Sequence, residues 1–357
     1  VTRAILIVGG YGDVGGLLAA ELVAAGHSVV VAGRNEDKAR TMAASLGDLA
    51  GWCRVDVDDA DMVAAALDGV AAAIGCIDQR DCHLLRGAVE RGLVYVDVTA
   101  GRQFIEAGLA LMPEACSTGA RVLLGAGLTP GLINVMARAC ADAVGAAREV
   151  HTHGLFSAGD VYGRAALRFM LAAIPEPYPI TDNGASRLVR CYDASKKVDF
   201  SKSVGARRVW RFAYPDQFFY PRTLGAHTSV SWFSLDPPWV GRLNAVMVGL
   251  GGRFFLRSRR VREGALRMFE AVGSRYQGQD ALSFAVEVSG PEGTARATVS
   301  GHGEGPGTAI SAALMFRTIW DGQSVPAGVW LPEQVIDVGD FFPAMSARGW
   351  HVEVGRT

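Results

Sequence analysis

From residue 4 to about 126, short apolar runs alternate with stretches of helical period. The strand candidates are AILIV (4–8), SVVVA (28–32), CRVDV (53–57), VAAAIG (70–75), LVYVDV (93–98) and RVLLGA (121–126), separated by Ala- and Leu-rich segments. Strands this apolar need cover on both faces, and a helix after each one supplies it, so the pattern predicts a parallel sheet wound with helices on both sides. After Thr129-Pro130-Gly131 the rhythm changes. A helix over GLINVMARACADAV leads into longer segments in which polar and apolar residues alternate: AREVHTHGLF, SRLVRCYDA, RRVWRFAY, TSVSWFSL, LSFAVEVSG and TARATVSGH, interrupted by two helices near 238–275. Such alternation fits an antiparallel sheet with helices segregated on one side. The closing GVWLPEQVIDVGDFFPAMSARGWHVEV reads as helix and strand again.

The expected fold class is α/β: a Rossmann doubly wound parallel sheet over 1–129, an inserted α+β substrate/dimerisation domain over 130–321, and a C-terminal segment, 322–357, returning to the first domain. A length of 357 residues accommodates this, and a net charge of −1 gives no electrostatic reason to expect nucleic acid as a partner. The basic run RSRRVR (257–262) reads as a solvated helix face. Six cysteines are scattered without C-x-x-C pairing, which predicts free thiols in a reducing compartment and no metal site. The chain opens directly on a strand, leaving no room for a secretory leader, so a cytoplasmic location is expected. The most apolar stretch, VGRLNAVMVGLGGRFFL (240–256), is broken by Arg242, Asn244 and Arg253. It falls short of the ~20 clean residues of a membrane span and reads as a buried helix.

Chemistry concentrates at the strand ends. GGYGDVGG, between a strand and a helix, fits G-x-G-x-x-G with Gly10, Gly12 and Gly15, and also G-x-x-G-x-x-G with Gly9, Gly12 and Gly15. In the first reading Gly10 makes the tight turn, Gly12 lets the backbone approach a pyrophosphate and Gly15 lets helix and strand pack, with Tyr11, Asp13 and Val14 beside the phosphates. The second strand runs into Gly33, Arg34, Asn35 and Lys38, with no acid at 32–34 to bond a ribose 2′-hydroxyl. Arg34, seconded by Lys38, suits a 2′-phosphate instead, so NADP(H) is the expected cofactor. Asp56 and Val57 fall at an adenine position, with Asp58 as a helix cap. Gly75, Cys76, Ile77, Asp97 and Thr99 reach the carboxyl edge of the sheet, where ligands bind in such folds. In GLTPGLIN, Thr129 as N-cap and Pro130 at the first helical position would leave the N–H of Gly131 free for a carboxamide or carboxylate. His151 and His153 share one strand face and Tyr162 follows; His153 and Tyr162 are candidate proton donors, and Asp97 a candidate electrostatic partner or support for Thr99.

The motifs GGYGDVGG, VVVAGRNEDKA, GLVYVDVT, GAGLTPGLINVMAR and GVWLPEQVIDVGDFF together resemble the saccharopine dehydrogenase-like family of NADP-binding reductases. The resemblance implies the domain plan above, a small-molecule substrate and, as the leading activity, reduction of an imine of a small amine or amino-acid-derived substrate. It leaves two other readings open. One is a trans-acting enoyl or keto reductase whose 238–256 segment lines an acyl tunnel and whose 257–262 arginines dock an acidic carrier protein; the other is a non-catalytic NADP sensor. A homodimer also stays open. Tyr192 and Lys196 match the Y-x-x-x-K of short-chain dehydrogenases, but they leave a strand-like run rather than sharing a helix face, and the pair is set aside. That choice favours G-x-G-x-x-G for the opening turn.

Overall fold

The computed structural model describes residues 4–157, 164–201, 204–273, 281–321 and 325–357. In chain order its strands are β1 (Ile5–Val8), β2 (Val29–Gly33), β3 (Ala50–Arg54), β4 (Ala72–Gly75), β5 (Val94–Asp97), β6 (Arg121–Leu124), β7 (Glu149–Ser157) and β8 (Tyr178–Asp182). They continue with β9 (Ala185–Val189), β10 (Ser195–Asp199), β11 (Ala206–Phe212), β12 (Thr228–Asp236), β13 (Ala281–Gly290), β14 (Gly293–His302), β15 (Gly328–Trp330) and β16 (His351–Arg356).

One unit comprises the chain up to Leu132 together with Gly305–Asp337. Its seven strands pair in parallel in the order β15-β6-β5-β4-β1-β2-β3. The strands are short, and all four residues of β1 are fully buried, as a doubly covered sheet demands. Chain order reverses at β1, between β4 and β2, and this is where such sheets open a crevice beyond their carboxyl ends. The third strand lies at 50–54 rather than 53–57, because β3 is the edge strand and apolar density does not mark its limits: its residues are exposed or half-buried. The helix Glu304–Asp321 joins this unit from Gly305 onward, where Ser311 Oγ donates to Gly127 O at 2.8 Å and Phe316 meets His27 edge-on at 6.2 Å.

The other unit comprises Ile133–Glu304 and Val338–Thr357. Its main sheet runs β10-β11-β12-β7-β13-β14-β16, with the β8–β9 hairpin attached to β12. The sheet is mixed rather than purely antiparallel, because β7 and β12 run parallel over nine residue pairs. It also curls: Lys196 on β10 lies 3.9 Å from Glu287 on β13 although three strands separate them in the sheet order.

Two sequence expectations change here. Residues 322–357 do not return as a block. Strand β15 extends the parallel sheet beside β6, whereas β16 pairs with β14, and the first unit already regains the chain at Gly305. The 240–256 stretch is not a buried helix either. It forms the helix Pro238–Met247, a π turn over Val248–Gly252 and the short helix Arg253–Phe255, and only one side of it packs inward, through Val240, Gly241 and Val248. No helix among the described residues is long and apolar enough to cross a membrane.

Candidate functional site

The turn between β1 and α1 (Asp13–Ala24) is built by glycines, but not with the division of labour read from the sequence. The positive φ, +86°, falls on Gly9. Gly12 N donates to Gly9 O at 2.9 Å, and a Cβ on Gly15 would overlap the Gly9 carbonyl. Gly9, Gly12 and Gly15 therefore make the tight turn, which corrects the assignment to Gly10; Gly10 is tight for another reason, since its Cβ would come 2.8 Å from Ile7 O. Gly12 is exposed, and among the described residues a Cβ there would meet, beyond its chain neighbours, Gly9 O at 3.2 Å. The N-cap is Gly12, which has no side chain to cap α1, so among the described residues the N–H groups of its first turn, at Asp13 and Val14, start on the exposed side of the turn. An anionic pyrophosphate fits this cradle.

At the end of β2, the Tyr11 ring lies against Gly33, where a Cβ would approach it to 2.6 Å, and the Tyr11 hydroxyl accepts from Asn35 N at 3.0 Å. Asn35 caps the helix Glu36–Leu46 by accepting from Lys38 N at 2.9 Å. Arg34 and Lys38 are exposed, and among the described residues Arg34 forms no ion pair, with Glu36 or any other acid. Asp56 and Val57 lie half-buried in the loop after β3, with Asp56 Oδ1 accepting from Asp58 N. The cap of the next helix, Ala60–Leu67, is Asp59 rather than Asp58, because the helix starts one residue later than expected and Asp59 reaches the N–H groups of Asp61 and Met62, both at 3.1 Å.

The ends of β4 and β5 converge on one carboxyl group. Asp97 is fully buried and accepts from Tyr95 Oη at 2.6 Å, from Thr99 N at 2.8 Å, from Gln79 Nε2 at 3.2 Å and from the Thr99 hydroxyl. Gly75 makes the room: any Cβ there would overlap the Asp97 carboxyl and approach Tyr95 Oη to 2.5 Å. Burial lifts the Asp97 pKa from 3.8 to about 7 against the pull of the Thr99 and Tyr95 hydrogen bonds. Cys76 and Ile77 leave β4 toward the glycine turn, with Cys76 N bonded to Val8 O and the Ile77 side chain against Gly9. Gln79 Oε1 is buried without a hydrogen-bond partner. Sequence reasoning missed Tyr95 and Gln79; the alternation in YVDVT, which puts Tyr95 on the face of Asp97, was the available signal.

Beyond β6, residues 125–131 fold back on themselves. Gly127 N donates to Pro130 O at 3.0 Å, Leu132 N donates to Gly127 O at 2.9 Å, and Gly131 takes φ +137° with no space for a Cβ beside Gly127. Thr129 is thus not the N-cap: such a φ belongs to no helix, and the helix starts at Leu132. Thr129 Oγ1 is a second buried polar atom of this unit without a partner.

In the second unit His153 is fully buried, with Nδ1 3.1 Å from Ala285 O. Burial, with Lys196 and His151 adding to it, pushes its pKa well below the usual 6.5. The neutral ring then carries its proton on Nδ1, bonded to the carbonyl, and Nε2 is left as a bare acceptor without a partner. That environment is the opposite of a proton donor's. His151 is also held neutral, its pKa lowered to about 4 by burial and by the Lys196 and Arg211 charges, and its Nδ1 accepts from Trp232 Nε1 at 3.3 Å. Tyr162 lies outside the described residues. Tyr192 sits in a turn at φ +65° and Lys196 on strand β10, so the pair shares no helix face. The unit also holds a buried carboxyl that sequence reading did not single out. Asp216 accepts from Thr152 Oγ1 at 2.8 Å and Ser231 Oγ at 3.1 Å, and burial raises its pKa to about 6.

A parallel sheet with a glycine turn at the point where its strand order reverses is the architecture of dinucleotide-binding α/β folds. Residues 3–79 match the short chain dehydrogenase family. The whole chain has the fold of saccharopine dehydrogenase. It superposes on the apo L-Glu-forming enzyme from Saccharomyces cerevisiae with a TM-score of 0.67 and 14% identity, covering 99% of this chain and 100% of that one. A short-chain dehydrogenase/reductase from Mycobacterium ulcerans aligns at 22% identity over 34% of this chain and 66% of its own, with a TM-score of 0.29. For hydroxysteroid dehydrogenase from Escherichia coli the values are 19%, 34%, 69% and 0.29. No curated protein matches the sequence.

Proposed function

We propose that this protein is an NADPH-dependent oxidoreductase of the saccharopine dehydrogenase-like type that reduces the C=N bond of an imine formed from a small amine or amino-acid-derived substrate. The observation that carries the reading is the buried Asp97 carboxyl at the carboxyl edge of the parallel sheet, titrating near neutrality beside an uncapped glycine turn. In this reading the α1 start with Gly10, Tyr11, Gly12, Asp13, Val14 and Gly15 holds the pyrophosphate. Arg34 and Lys38 grip the 2′-phosphate beside Gly33 and Asn35, while Asp56 and Val57 border the adenine. Gly75, Cys76, Ile77, Thr99, Thr129 and Gly131 border the nicotinamide, where the unpaired Gln79 Oε1 and Thr129 Oγ1 suit a carboxamide.

The bound cofactor supplies a hydride. The chain supplies orientation and charge: Asp97 fixes Thr99 through two hydrogen bonds and Gln79 through one, and as a carboxylate it draws an iminium toward the edge. An approaching cation lowers the Asp97 pKa and so increases the charge that attracts it. An iminium arrives already protonated and needs no strong acid, so the loss of His153 as a donor leaves the reading intact; Tyr162 stays as the proposed donor where one is needed. Cytoplasmic residence and a homodimer belong to the same proposal.

The acyl-chain alternative loses much of its support, because most of the large apolar side chains of 238–256 meant to line a tunnel are exposed, and only Val240 and Val248 among them are buried. Purified protein offered NADPH with a panel of aldehyde–amine pairs, cyclic imines and enoyl thioesters decides among the readings. Oxidation with imines is the expected result. Turnover on thioesters alone replaces it with acyl chemistry, and tight NADPH binding without turnover replaces it with a sensor.

A further inference from the structure

The helices of 238–273 carry their apolar side chains on the wrong side for a globular protein. On the first and the π turn that continues it, Trp239, Leu243, Val246, Met247 and Leu250 recur at helical spacing and are all exposed, Leu250 at 79%. Phe254 and Phe255 follow, 68% and 62% exposed, packed only edge-on against each other in the described ring contacts. The next helix, Arg259–Gly273, adds the exposed Val261 and Met268 and buries Leu266. Contiguous exposed apolar surface of this kind marks an interaction site.

The charge on the same segment says what it meets. It holds seven arginines, Arg242, Arg253, Arg257, Arg259, Arg260, Arg262 and Arg267, against two acids, Glu263 and Glu270. Glu263 is already paired with Arg168 at 3.2 Å. Arg257 lies 3.8 Å from Glu176, while no described acid pairs with Arg242, Arg259, Arg260 or Arg267, all four exposed. Aromatic and aliphatic side chains on a ridge flanked by arginines, in helices too short and too charged to span a bilayer, form the pattern of a segment lying in the plane of a membrane interface. We infer that residues 238–268 dock this protein on an anionic phospholipid surface, the apolar ridge entering the headgroup–acyl boundary and the arginines pairing with lipid phosphates.

Co-sedimentation of the full chain with phosphatidylcholine vesicles, with and without phosphatidylglycerol, tests this. The expected result is partition onto the anionic vesicles at least about tenfold above the neutral ones, weakening as salt rises from about 0.1 to 0.5 M. Leu250→Ser/Phe254→Ser/Phe255→Ser and, separately, Arg259→Glu/Arg260→Glu should each lower that partition about tenfold while the circular dichroism spectrum stays that of the parent, since all five side chains are exposed. Equal partition onto neutral vesicles, no partition of the parent, or unchanged partition of both variants overturns the assignment. So does a parent that ignores vesicles but binds an acidic carrier protein, or that self-associates in sedimentation velocity in a manner the serine variant abolishes.

Discussion

Two carboxyls, one in each unit, are fully buried among the described residues, Asp97 at the end of a parallel strand and Asp216 on a turn beside the mixed sheet, and burial raises both above 3.8, to about 7 and about 6. Their surroundings differ. Asp216 sits on a single turn, Pro215–Phe218, and its partners Thr152 and Ser231 come from β7 and β12, while the adjacent Gln217 bonds Phe212 O, Tyr214 O and Ser231 N. These bonds tie the turn to two strands, but both of the carboxyl's own bonds from Thr152 and Ser231 land on Oδ2, and Asp216 Oδ1 is buried without a hydrogen-bond partner. Asp97 ends a parallel strand, and its partners lead outward to a loop whose Gln79 keeps an unused acceptor. A raised pKa alone does not distinguish function from structure, and each carboxyl has an unused buried acceptor in its network; what differs is the place in the fold, Asp97 at the carboxyl edge of a parallel sheet and Asp216 on a turn bonded to β7 and β12.

The contrast breaks most visibly at the glycine turn. Gly12→Val puts a branched side chain into the open cradle, and NADPH affinity should fall at least about a hundredfold with the protein still folded, by titration of cofactor fluorescence and circular dichroism. Retained affinity would make the turn as structural as the Asp216 net. Next in size, Arg34→Ala should remove a charge-assisted contact of about 1.5 to 3 kcal/mol, weakening NADPH about ten- to a hundredfold and leaving NADH nearly unchanged. A parent that prefers NADH would defeat the cofactor assignment.

The carboxyls themselves come next. Asp97→Asn should lower kcat by about tenfold with NADPH affinity little altered, whereas Asp216→Asn should leave kcat within about twofold of the parent. The reverse ranking would move the working site to the second sheet. The smallest effect is on stability. A carboxyl whose folded pKa is raised favours folding when protonated, so the contribution of Asp216 is complete below pH 3.8 and is lost as pH rises through about 6. Asp216→Asn cannot lose it, so its Tm should gain about 2 to 4 °C on that of the parent between pH 4 and 7. A constant offset between the two profiles would show that Asp216 does not titrate in that window.

Much of this was legible in the sequence because the parallel sheet advertises itself. β1 and β4 are wholly apolar, β5 and β6 are apolar but for Asp97 at the end of one and Arg121 at the start of the other, and the ends of such strands locate the edge where Asp97 and Thr99 stand. Local chemistry was less legible wherever a shift of one residue decides the outcome. Whether Gly9 or Gly10 takes positive φ, or Asp58 or Asp59 caps, depends on where the helix begins, and neighbouring glycines and aspartates offer the same side chains to either answer. The Asp216 net and the Lys196–Glu287 approach are set by strand order and curl, which residue alternation within one strand does not encode. The outward ridge at 243–255 defeated the reading for a different reason: apolar periodicity reports that a face wants to leave water, not that the protein interior is where it goes.

The first unit is assembled from two stretches of chain, and this governs when it can be completed during synthesis. Strand β6 ends at Leu124 and its neighbour β15 begins at Gly328, about 200 residues later. At the ~5–20 residues per second of a translating ribosome, the β6 edge waits roughly 10 to 40 s for its partner, with N–H and C=O groups open to any other strand. A fragment that stops before residue 305 lacks the helix carrying Ser311 and Phe316 as well as that last strand. The nascent parallel-sheet unit is therefore most exposed to mispairing while the other unit is still emerging.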